Sequence, residues 1–290
     1  MLGLVLVDKP AGVTSHDVVN VARRALGEKR IGHAGTLDPF ATGLLVLLVG
    51  SATRLLPHVS GDPKVYEATI RFGAETATED VHGEVVRQAP LASRSAVEAA
   101  LPSLTGELDQ IPPAYSAKRV GGRRAYDLAR EGVAVTLAPA RVRVDRWEPL
   151  AWHGDDGAVT ECDVRITCGG GTYIRSLARD LGRAVDSAAH LAALRRTRSG
   201  AFDVADADPL ETLREGRARV RPPLDALPHV PVQPLSAVDV RRAMSGITVD
   251  AIVAGEWAAL TRETTGELVG LAERAGDRWQ PRVVLREDRA

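Results

Sequence analysis

A glycine-rich loop that runs directly into an apolar segment constrains this chain more than any other stretch. Residues 29–43 read KRIGHAGTLDPFATG, and residues 44–49 read LLVLLV. An uninterrupted apolar run of that length is typical of a buried strand. Glycine is favoured where a backbone turns sharply or approaches a ligand closely, and Pro39 disfavours a helical conformation at Asp38. We therefore predict that Asp38 is held extended on a loop that a core strand anchors.

The residues alone leave two interpretations of Asp38 open. Aspartate is common in turns, where its side chain bonds the local backbone. This carboxylate also follows Lys29, Arg30 and His33, and basic side chains beside an acid on such a loop suit an anionic ligand. His33 is therefore a candidate substrate contact, and Asp38 is either a turn residue or a functional acid.

The stretch from Gly32 to Leu45, GHAGTLDPFATGLL, resembles the catalytic motif of a family of bacterial tRNA pseudouridine synthases. Members of this family modify uridine 55 in the T-arm of tRNA. Their motif aspartate is the catalytic nucleophile, so the resemblance assigns that role to Asp38. A match of this length is far more specific than a lone glycine pattern.

Composition narrows the class of protein. The 290 residues, 44% hydrophobic and 26% charged, are ordinary for a soluble globular protein with one large and one small domain or two moderate ones. We expect neither a membrane span nor a signal peptide. The net charge of −1 means that any RNA-binding surface is a local patch. Cys162 and Cys168 lack CxxC spacing, which favours free thiols in a reducing cytoplasm over a zinc site or a disulfide.

The N-terminal residues predict a strand followed by a helix. Residues 2–7 alternate as a strand does, and residues 16–26 have helical spacing, with Ser15 as N-cap and Gly27 as the stop. The Lys-Pro-x-Gly-x-Thr-Ser pattern of residues 9–15 resembles the family's first motif. A simple strand-to-helix turn explains that pattern as well.

Residues 64–73 alternate as a strand, and periodicity puts Tyr66 on its apolar face. A core tyrosine is the simplest interpretation of that position. The resemblance implies another role, because the family's active-site tyrosine follows Lys-Val in this strand, stacks on the target base and is placed to help remove a proton. Lys64 is accordingly a candidate substrate contact. We interpret the Thr-x-Thr-x-Asp-x-x-Gly pattern of residues 76–83 as a connecting turn without direct chemistry.

A basic insert at about residues 112–132 is a candidate RNA-binding segment. Basic side chains neutralise phosphates, and aromatic rings stack on splayed bases; a solvated charged loop is the alternative. The resemblance is to the family's inserted segment, which contacts the T-loop, although Arg119 stands where the family usually has lysine. The basic and aromatic residues of the insert are Lys118, Arg119, Arg123, Arg124, Tyr115 and Tyr126.

Two further strands, over residues 141–147 and 159–168, lead to three glycines at 169–171 and a predicted helix. Glycines before a helix N-terminus can cradle a phosphate, but the lysine and spacing of a P-loop are missing. The helix carries two arginines four residues apart, Arg175 and Arg179, which on composition are surface residues or partners for Asp180 and Glu161.

This segment resembles the family's third motif. There the tyrosine lines the base pocket and the arginine pairs with the nucleophilic aspartate, which maps to Tyr173 and Arg175. A guanidinium beside Asp38 would offset the desolvation that raises the pKa of a buried carboxyl group.

Residues 189–200 predict a helix that ends in a basic cluster. Core packing explains Leu194, whereas the resemblance places it in the wall of the base pocket. Arg195, Arg196 and Arg198 either meet the RNA backbone or simply suit the negative end of the helix dipole.

Five prolines between residues 222 and 234 mark a domain boundary. We predict a catalytic domain over residues 1–225 and a small β-rich domain over residues 230–290. Bacterial members of the family carry a PUA-type RNA-binding domain at this position, and the likeness here is loose.

The fold class we predict is mixed α/β (α+β), with helices flanking the sheet and a small β-rich C-terminal domain. The resemblance implies a pseudouridine-synthase fold with a mixed, largely antiparallel central sheet. It also implies isomerisation of a flipped uridine in tRNA, with Asp38 attacking either C1′ of the ribose or C6 of the base. We expect no cofactor, no metal and no protein partner, and a monomer in the cytoplasm.

Two other functions compete with this one. A non-catalytic tRNA-binding or tRNA-folding module would keep the basic patches without needing Asp38 and Arg175 together. An aspartate-based hydrolase should show a second catalytic carboxylate, but Glu67, Glu79 and Asp80 lie in no comparable glycine-rich loop.

Overall fold

A computed structural model describes residues 1–116, 118–120, 123–124, 126, 131 and 137–286. The chain divides into two compact units, which are described separately below. The first unit combines Met1–Gly61 with Ser199–Ala290, and the second is Asp62–Arg198. Among the described residues, no helix is long and apolar enough to cross a membrane.

The first unit opens with a small sheet and one helix. Its N-terminal elements are β1 (Gly3–Lys9), α1 (Ser15–Leu26), β2 (Ile31–His33) and β3 (Thr42–Val49). Strand β3 is antiparallel to both β1 and β2. Helix α1 starts with a capping box in which Thr14 and Asp17 bond each other's backbone, and it ends at Gly27 in the left-handed conformation. The N-cap is therefore Thr14, one residue before the predicted Ser15.

Both faces of β3 are buried, which explains its uninterrupted apolar sequence. Leu44, Val46 and Leu48 belong to one core cluster, which also contains residues of the C-terminal sheet. Leu45, Leu47 and Val49 belong to another, which α1 covers. The strand that carries the end of the Asp38 loop is thus fixed from both sides.

Among its described residues, the second unit contains a five-stranded sheet segment and two α-helices. The strands run in the order β12-β4-β11-β10-β7, and the β4–β11, β11–β10 and β10–β7 pairs are antiparallel. Two short antiparallel strand pairs, β5–β6 and β8–β9, lie outside that order. The elements are β4 (Lys64–Phe72), β5 (Ala74–Thr76), β6 (Val85–Gln88), α2 (Arg94–Ala100), β7 (Gly106–Gln110), β8 (Arg119–Val120), β9 (Arg123–Arg124), β10 (Ala140–Asp155), β11 (Ala158–Cys168), α3 (Ile174–Ala184) and β12 (Ala189–Ser199).

The prediction of a helix over residues 189–200 is wrong, because this stretch is strand β12. Alanine, leucine and arginine are good helix formers, and Leu191 and Leu194 are three residues apart. Helix propensity is a weak preference that tertiary pairing overrides, and here the segment is a neighbour of β4 in the sheet.

A 3₁₀ helix, Gly50–His58, follows β3, and the remaining strands and α-helices of the first unit lie in the C-terminal part of the chain. Strand β14 adds to β1 in parallel, so the sheet of this unit is mixed. A second sheet runs in the order β15-β17-β18-β19-β16, around a fully buried Trp279. The elements are β13 (Phe202–Asp203), β14 (Asp208–Pro209), α4 (Leu210–Arg214), β15 (Val232–Leu235), α5 (Ala237–Met244), β16 (Val249–Asp250), β17 (Trp257–Arg262), β18 (Leu268–Ala275) and β19 (Arg278–Val284).

Candidate active site

The loop that carries Asp38 is tied down immediately before that residue. Ser15, in the first turn of α1, is buried and bonds both backbone polar groups of Leu37: its Oγ accepts from the Leu37 N–H at 2.9 Å and donates to the Leu37 carbonyl at 3.1 Å. The side chain of Leu37 is buried as well. The residue that precedes Asp38 is therefore fixed by hydrogen bonds and by packing.

The loop is tied down again immediately after Asp38. The carbonyl of Pro39 accepts from the Gly12 N–H at 2.8 Å and from Nζ of Lys9 at 3.4 Å. Lys9 is fully buried, and its ammonium group also donates to the carbonyls of Pro10 and Val13. A buried charge is tolerated when several acceptors surround it. Here two of the acceptors, Pro10 and Val13, belong to the turn between β1 and α1, and the third, Pro39, belongs to the Asp38 loop.

Two glycines allow the loop to turn. Gly35 and Gly43 both have a φ of 100°, in the region that side chains other than glycine rarely adopt. Between them, the Ala41 N–H bonds the Asp38 carbonyl at 3.1 Å and Phe40 is buried. Asp38 itself is half-buried, so its carboxylate stands on a rigid backbone and keeps some access to solvent.

The basic residues before the loop are placed differently. His33 is half-buried at the end of β2, opposite Leu47 of β3. Lys29 and Arg30 are exposed. Of the three, His33 lies closest to Asp38 in the chain and belongs to the strand that leads into the loop.

The other candidate residues belong to the second unit. Tyr66 is buried on β4 and shares its face with Ala68, Ile70 and Phe72, as periodicity predicted. It lies opposite Ile166 of β11. Its placement confirms the apolar face and leaves its catalytic role as a prediction.

Tyr173 is fixed by a side chain in the same manner as Leu37. Oε1 of Gln110 accepts from the Tyr173 N–H at 2.9 Å, and Nε2 of Gln110 donates to the Tyr173 carbonyl at 3.1 Å. Gln110 is buried at the end of β7. Tyr173 is the N-cap residue of α3, so this pair of bonds sets where the helix begins.

Arg175 is buried in the first turn of α3 and joins two loops of the second unit. Its Nη1 donates to the Thr78 carbonyl at 2.8 Å, and its Nη2 donates to the Tyr115 carbonyl at 2.9 Å. The carboxylate of Asp80 lies 4.0 Å from Nη1. The turn at residues 76–83 therefore supports this arginine, and the insert begins against it.

Arg179, one turn later, extends this support. It is buried and bonds Glu79, Asp180 and the Ile111 carbonyl. The partner expected for Asp180 is thus confirmed, whereas Glu161 pairs with Arg71 and not with an arginine of α3.

Lys64 and Arg196 lie near each other. Burial, more than the nearby Arg196, lowers the pKa of the Lys64 ammonium group, and Asp62 opposes that shift. Arg196 is itself buried, so the prediction that it meets the RNA backbone is wrong, whereas Arg195 is half-buried and Arg198 exposed. Arg195 and Arg196 differ because successive residues of a strand face opposite sides, a difference that the wrong helix assignment hid. Leu194 is buried.

The basic insert is described only in part. Lys118 and Arg123 are exposed, and Arg123 forms an ion pair with Glu131 at 2.5 Å. The side chains of Arg119 and Arg124 lie outside the described part, as do residues 117, 121–122, 125, 127–130 and 132. The rings of Tyr115 and Tyr126 pack edge to face, 6.0 Å between centroids.

Neither cysteine is a candidate nucleophile. Cys162 and Cys168 are free and buried on β11. Burial raises the pKa of each thiol to about 12, and a thiol that stays protonated is unreactive.

The supporting roles of three residues, Lys9, Ser15 and Gln110, are not evident from the sequence. Lys9 and Ser15 belong to a pattern that a strand-to-helix turn explains fully, and Gln110 belongs to none. A lysine at the end of an apolar strand was the one available signal, because such a position predicts burial and a buried ammonium group needs acceptors.

Comparison with known proteins gives the family. The model of the TruB family pseudouridylate synthase N-terminal domain matches residues 23–174, and the model of the tRNA pseudouridylate synthase B C-terminal domain matches residues 175–227. A protein of Mycobacterium sp. (strain KMS) named tRNA pseudouridine synthase B is 45% identical over 98% of this chain and 96% of its own length. The protein of that name from Thermobifida fusca is 48% identical over 84% of this chain and 85% of its own length.

Solved structures show the same fold. A chain of an H/ACA ribonucleoprotein bound to a substrate RNA containing 2′-deoxyuridine has a TM-score of 0.71 at 22% identity, covering 98% of this chain and 85% of that one. A chain of an archaeal box H/ACA Nop10–Cbf5 complex has a TM-score of 0.71 at 24% identity, covering 97% and 85%. The predicted pseudouridine-synthase fold is confirmed, and the chain belongs to the TruB family of pseudouridine synthases.

Proposed function

We propose that this protein isomerises uridine 55 in the T-loop of tRNA to pseudouridine, with Asp38 as the nucleophile. One observation carries the proposal: the residues on both sides of Asp38 are tied to Ser15, Gly12 and Lys9 by hydrogen bonds. A catalytic group contributes most when its position is fixed before the substrate arrives.

The reaction takes place on a base outside the RNA stack. The target uridine is flipped into a pocket, as enzymes that act on bases require. Ionised Asp38 attacks either C1′ of the ribose or C6 of the uracil, and the glycosidic bond to N1 breaks. The uracil turns, C5 bonds to C1′, and the C5 proton leaves. Because the product is an isomer of the substrate, no co-substrate is consumed.

Arg175 serves as the charge partner of Asp38. Its described contacts in the second unit include hydrogen bonds to two neutral carbonyls, at Thr78 and Tyr115, and a longer contact of 4.0 Å with the carboxylate of Asp80. Hydrogen bonds to carbonyls orient a guanidinium without neutralising its charge. A guanidinium held in this way favours the ionised form of a neighbouring carboxyl group, which is the form that a nucleophile needs.

The remaining candidate residues bind the base and the RNA. Tyr66 stacks on the target base and its hydroxyl helps remove the C5 proton, while Tyr173 and Leu194 line the base pocket. His33 and Lys64 contact the substrate near the reacting nucleotide. The basic insert contacts the T-loop through Arg119, Arg123 and Arg124.

We further propose that the enzyme acts as a monomer without a protein partner, in the cytoplasm where tRNA is found. The structural relatives named above come from protein complexes. Sedimentation of the purified protein therefore tests whether this chain is a monomer. Residues 1–225 form the catalytic domain in this proposal, and residues 230–290 form a PUA-like domain that adds RNA affinity.

The direct test is to incubate the purified protein with unmodified tRNA and to map pseudouridine at single-nucleotide resolution. We expect modification at position 55. Binding of tRNA without any pseudouridine would favour the alternative, a non-catalytic tRNA-binding or tRNA-folding module.

A further inference from the structure

A cavity of about 480 Å³ lies in the first unit, and the loop that carries Asp38 contributes no residue to its lining. The end of the 3₁₀ helix Gly50–His58 forms one wall, and the start of β17 forms another. Two histidines, His58 and His229, and one tryptophan, Trp257, line it. None of these residues has a part in the mechanism proposed above.

The backbone before β17 is shaped to place Trp257 in this wall. Gly255 has a φ of 130°, and a Cβ at this position would lie 3.1 Å from Cγ of Pro231 and from the carbonyl oxygen of Trp257. Only glycine tolerates that combination readily. Trp257 also packs against a core cluster, so the ring is held in place while it lines the cavity.

The two rings form a corner suited to a planar ligand. The centroids of His58 and Trp257 are 4.7 Å apart, and their planes are inclined at 56°. Burial, and secondarily His229, lowers the pKa of His58. The imidazole is therefore neutral near pH 7 and presents an aromatic face and a hydrogen-bonding edge.

The charge of the lining does not favour a phosphate as the group bound. Among the described residues around the cavity, none is lysine or arginine, and the one carboxylate is that of Glu256. Phosphate recognition depends on cationic side chains. A carboxylate beside aromatic rings instead suits a neutral planar group with an amino donor, such as the exocyclic amine of a nucleobase.

We propose that this cavity holds one unpaired, amino-bearing base of the bound tRNA, stacked on Trp257 beside His58, with Glu256 as its acceptor. This inference rests on the proposed function, since it assumes that tRNA is the substrate. It adds a second base-binding site to the pocket in which the chemistry takes place.

The test measures the affinity of the full-length protein for tRNA as a function of salt. Trp257→Ala should weaken binding about 5- to 150-fold, the range measured when a stacking aromatic residue is removed. The dependence of affinity on log[salt] should stay unchanged, because tryptophan neutralises no phosphate. Trp257→Phe should restore most of the affinity, and His58→Ala should weaken binding in the same direction.

The matched control is Trp152→Ala. Trp152 is a half-buried tryptophan of the second unit that lies under the guanidinium of Arg94, and its removal should leave tRNA affinity unchanged. Thermal unfolding of every variant identifies any that does not fold. If Trp257→Ala does not fold, Trp257→Phe tests the inference through tryptophan fluorescence: the quenching caused by tRNA should be weaker in this variant than in wild type.

Three results would overturn the inference: unchanged affinity in both Trp257→Ala and His58→Ala, an equal decrease in the Trp152 control, or a shallower salt dependence in Trp257→Ala. Quenching of Trp257 by free adenosine monophosphate, with tRNA affinity unaffected by the substitutions, would assign the cavity to a free nucleotide and overturn it as well. The proposed function has a different test: it is contradicted if the wild-type protein forms no pseudouridine at position 55, whatever the affinities of the Trp257 and His58 variants.

Discussion

Ser15 and Leu37 form a closed pair of hydrogen bonds across 22 residues of sequence, with the serine hydroxyl bonding both the N–H and the carbonyl of Leu37. This contact joins the first turn of α1 to the residue before Asp38. It makes the position of the proposed nucleophile depend on a residue that takes no part in the chemistry.

Ser15→Ala should therefore reduce both stability and turnover. Leaving the buried N–H and carbonyl of Leu37 unpaired should lower the free energy of unfolding by about 1–3 kcal/mol. The rate of pseudouridine formation at saturating tRNA should fall as well, because Asp38 loses its support. Urea unfolding and single-turnover kinetics measure the two effects.

The chain supplies a matched control for this experiment in Ser51. Its buried hydroxyl bonds both the N–H and the carbonyl of Arg286, the same pattern with neither partner in the Asp38 loop. Ser51→Ala should cost similar stability and leave the saturated rate unchanged. Equal rates in the two variants would show that the Ser15 contact is structural only.

Tyr66→Phe separates a catalytic hydroxyl from a core ring. Because phenylalanine keeps the aromatic face, tRNA affinity and stability should change little. If the hydroxyl helps to remove the C5 proton, the single-turnover rate should fall by about 100-fold or more. A rate close to that of wild type would leave Tyr66 as a packing and stacking residue.

The sequence predicts the parts of this fold whose buried residues follow a regular pattern. The alternation of β4 and the helical spacing of α3 are examples, and so is the continuous apolar run of β3, whose two faces are both covered. Strand β12 was not predictable in this way, because its alanines, leucines and arginines favour a helix and only pairing within the sheet decides otherwise.

The hydrogen bonds that hold the candidate site in place could not be predicted from the sequence, for a different reason. Gln110 and Tyr173 are 63 residues apart, and a hydrogen bond between a side chain and a distant backbone leaves no periodic trace in the sequence. The motif residues, in contrast, are contiguous in the chain and were recognisable by resemblance. The proposed catalytic residues were therefore easier to predict than the residues that hold them in position.

The basic insert should control affinity for RNA. Replacing Lys118, Arg119, Arg123 and Arg124 together by alanine should weaken tRNA binding and make its dependence on log[salt] shallower. The slope should change by up to about 0.7–0.9 for each phosphate that the variant no longer neutralises. Filter binding over a series of salt concentrations measures both quantities.

A control with the same change in net charge replaces four exposed arginines elsewhere in the second unit: Arg71, Arg94, Arg141 and Arg146. This control should change the salt dependence much less. Equal slopes for the two quadruple variants would mean that the insert contributes only to the overall charge and makes no local contact with phosphates.

The pair His153–Asp163 should make the stability of the second unit depend on pH. Its atoms Nε2 and Oδ2 are 2.9 Å apart. The hydrogen bond to Asp163 raises the pKa of His153 above 6.5, and hydrogen bonds from Thr69 and His153 lower the pKa of Asp163 below 3.8. The stabilising contribution of the pair is therefore fully present between pH 3.8 and pH 6.5. It is lost as pH rises through the folded-state pKa of His153, and it is also lost as pH falls through the folded-state pKa of Asp163.

Nuclear magnetic resonance titration of the His153 ring checks this directly. The pKa of His153 should lie above 6.5 in wild type and move back towards that value in Asp163→Asn. The difference in free energy of unfolding between the two proteins should shrink as pH rises above 6.5. Titration of His153 at or below 6.5 in wild type would contradict the interpretation of this pair.

Asp38→Asn tests the central claim most directly, with pseudouridine formation at position 55 followed under single-turnover conditions at saturating tRNA. Asparagine keeps the size of the side chain and removes the nucleophilic carboxylate. The account requires modification by wild type, no measurable modification by the variant, and similar tRNA affinity for both. A variant that modifies position 55 within tenfold of the wild-type rate would contradict the assignment of Asp38 as the nucleophile.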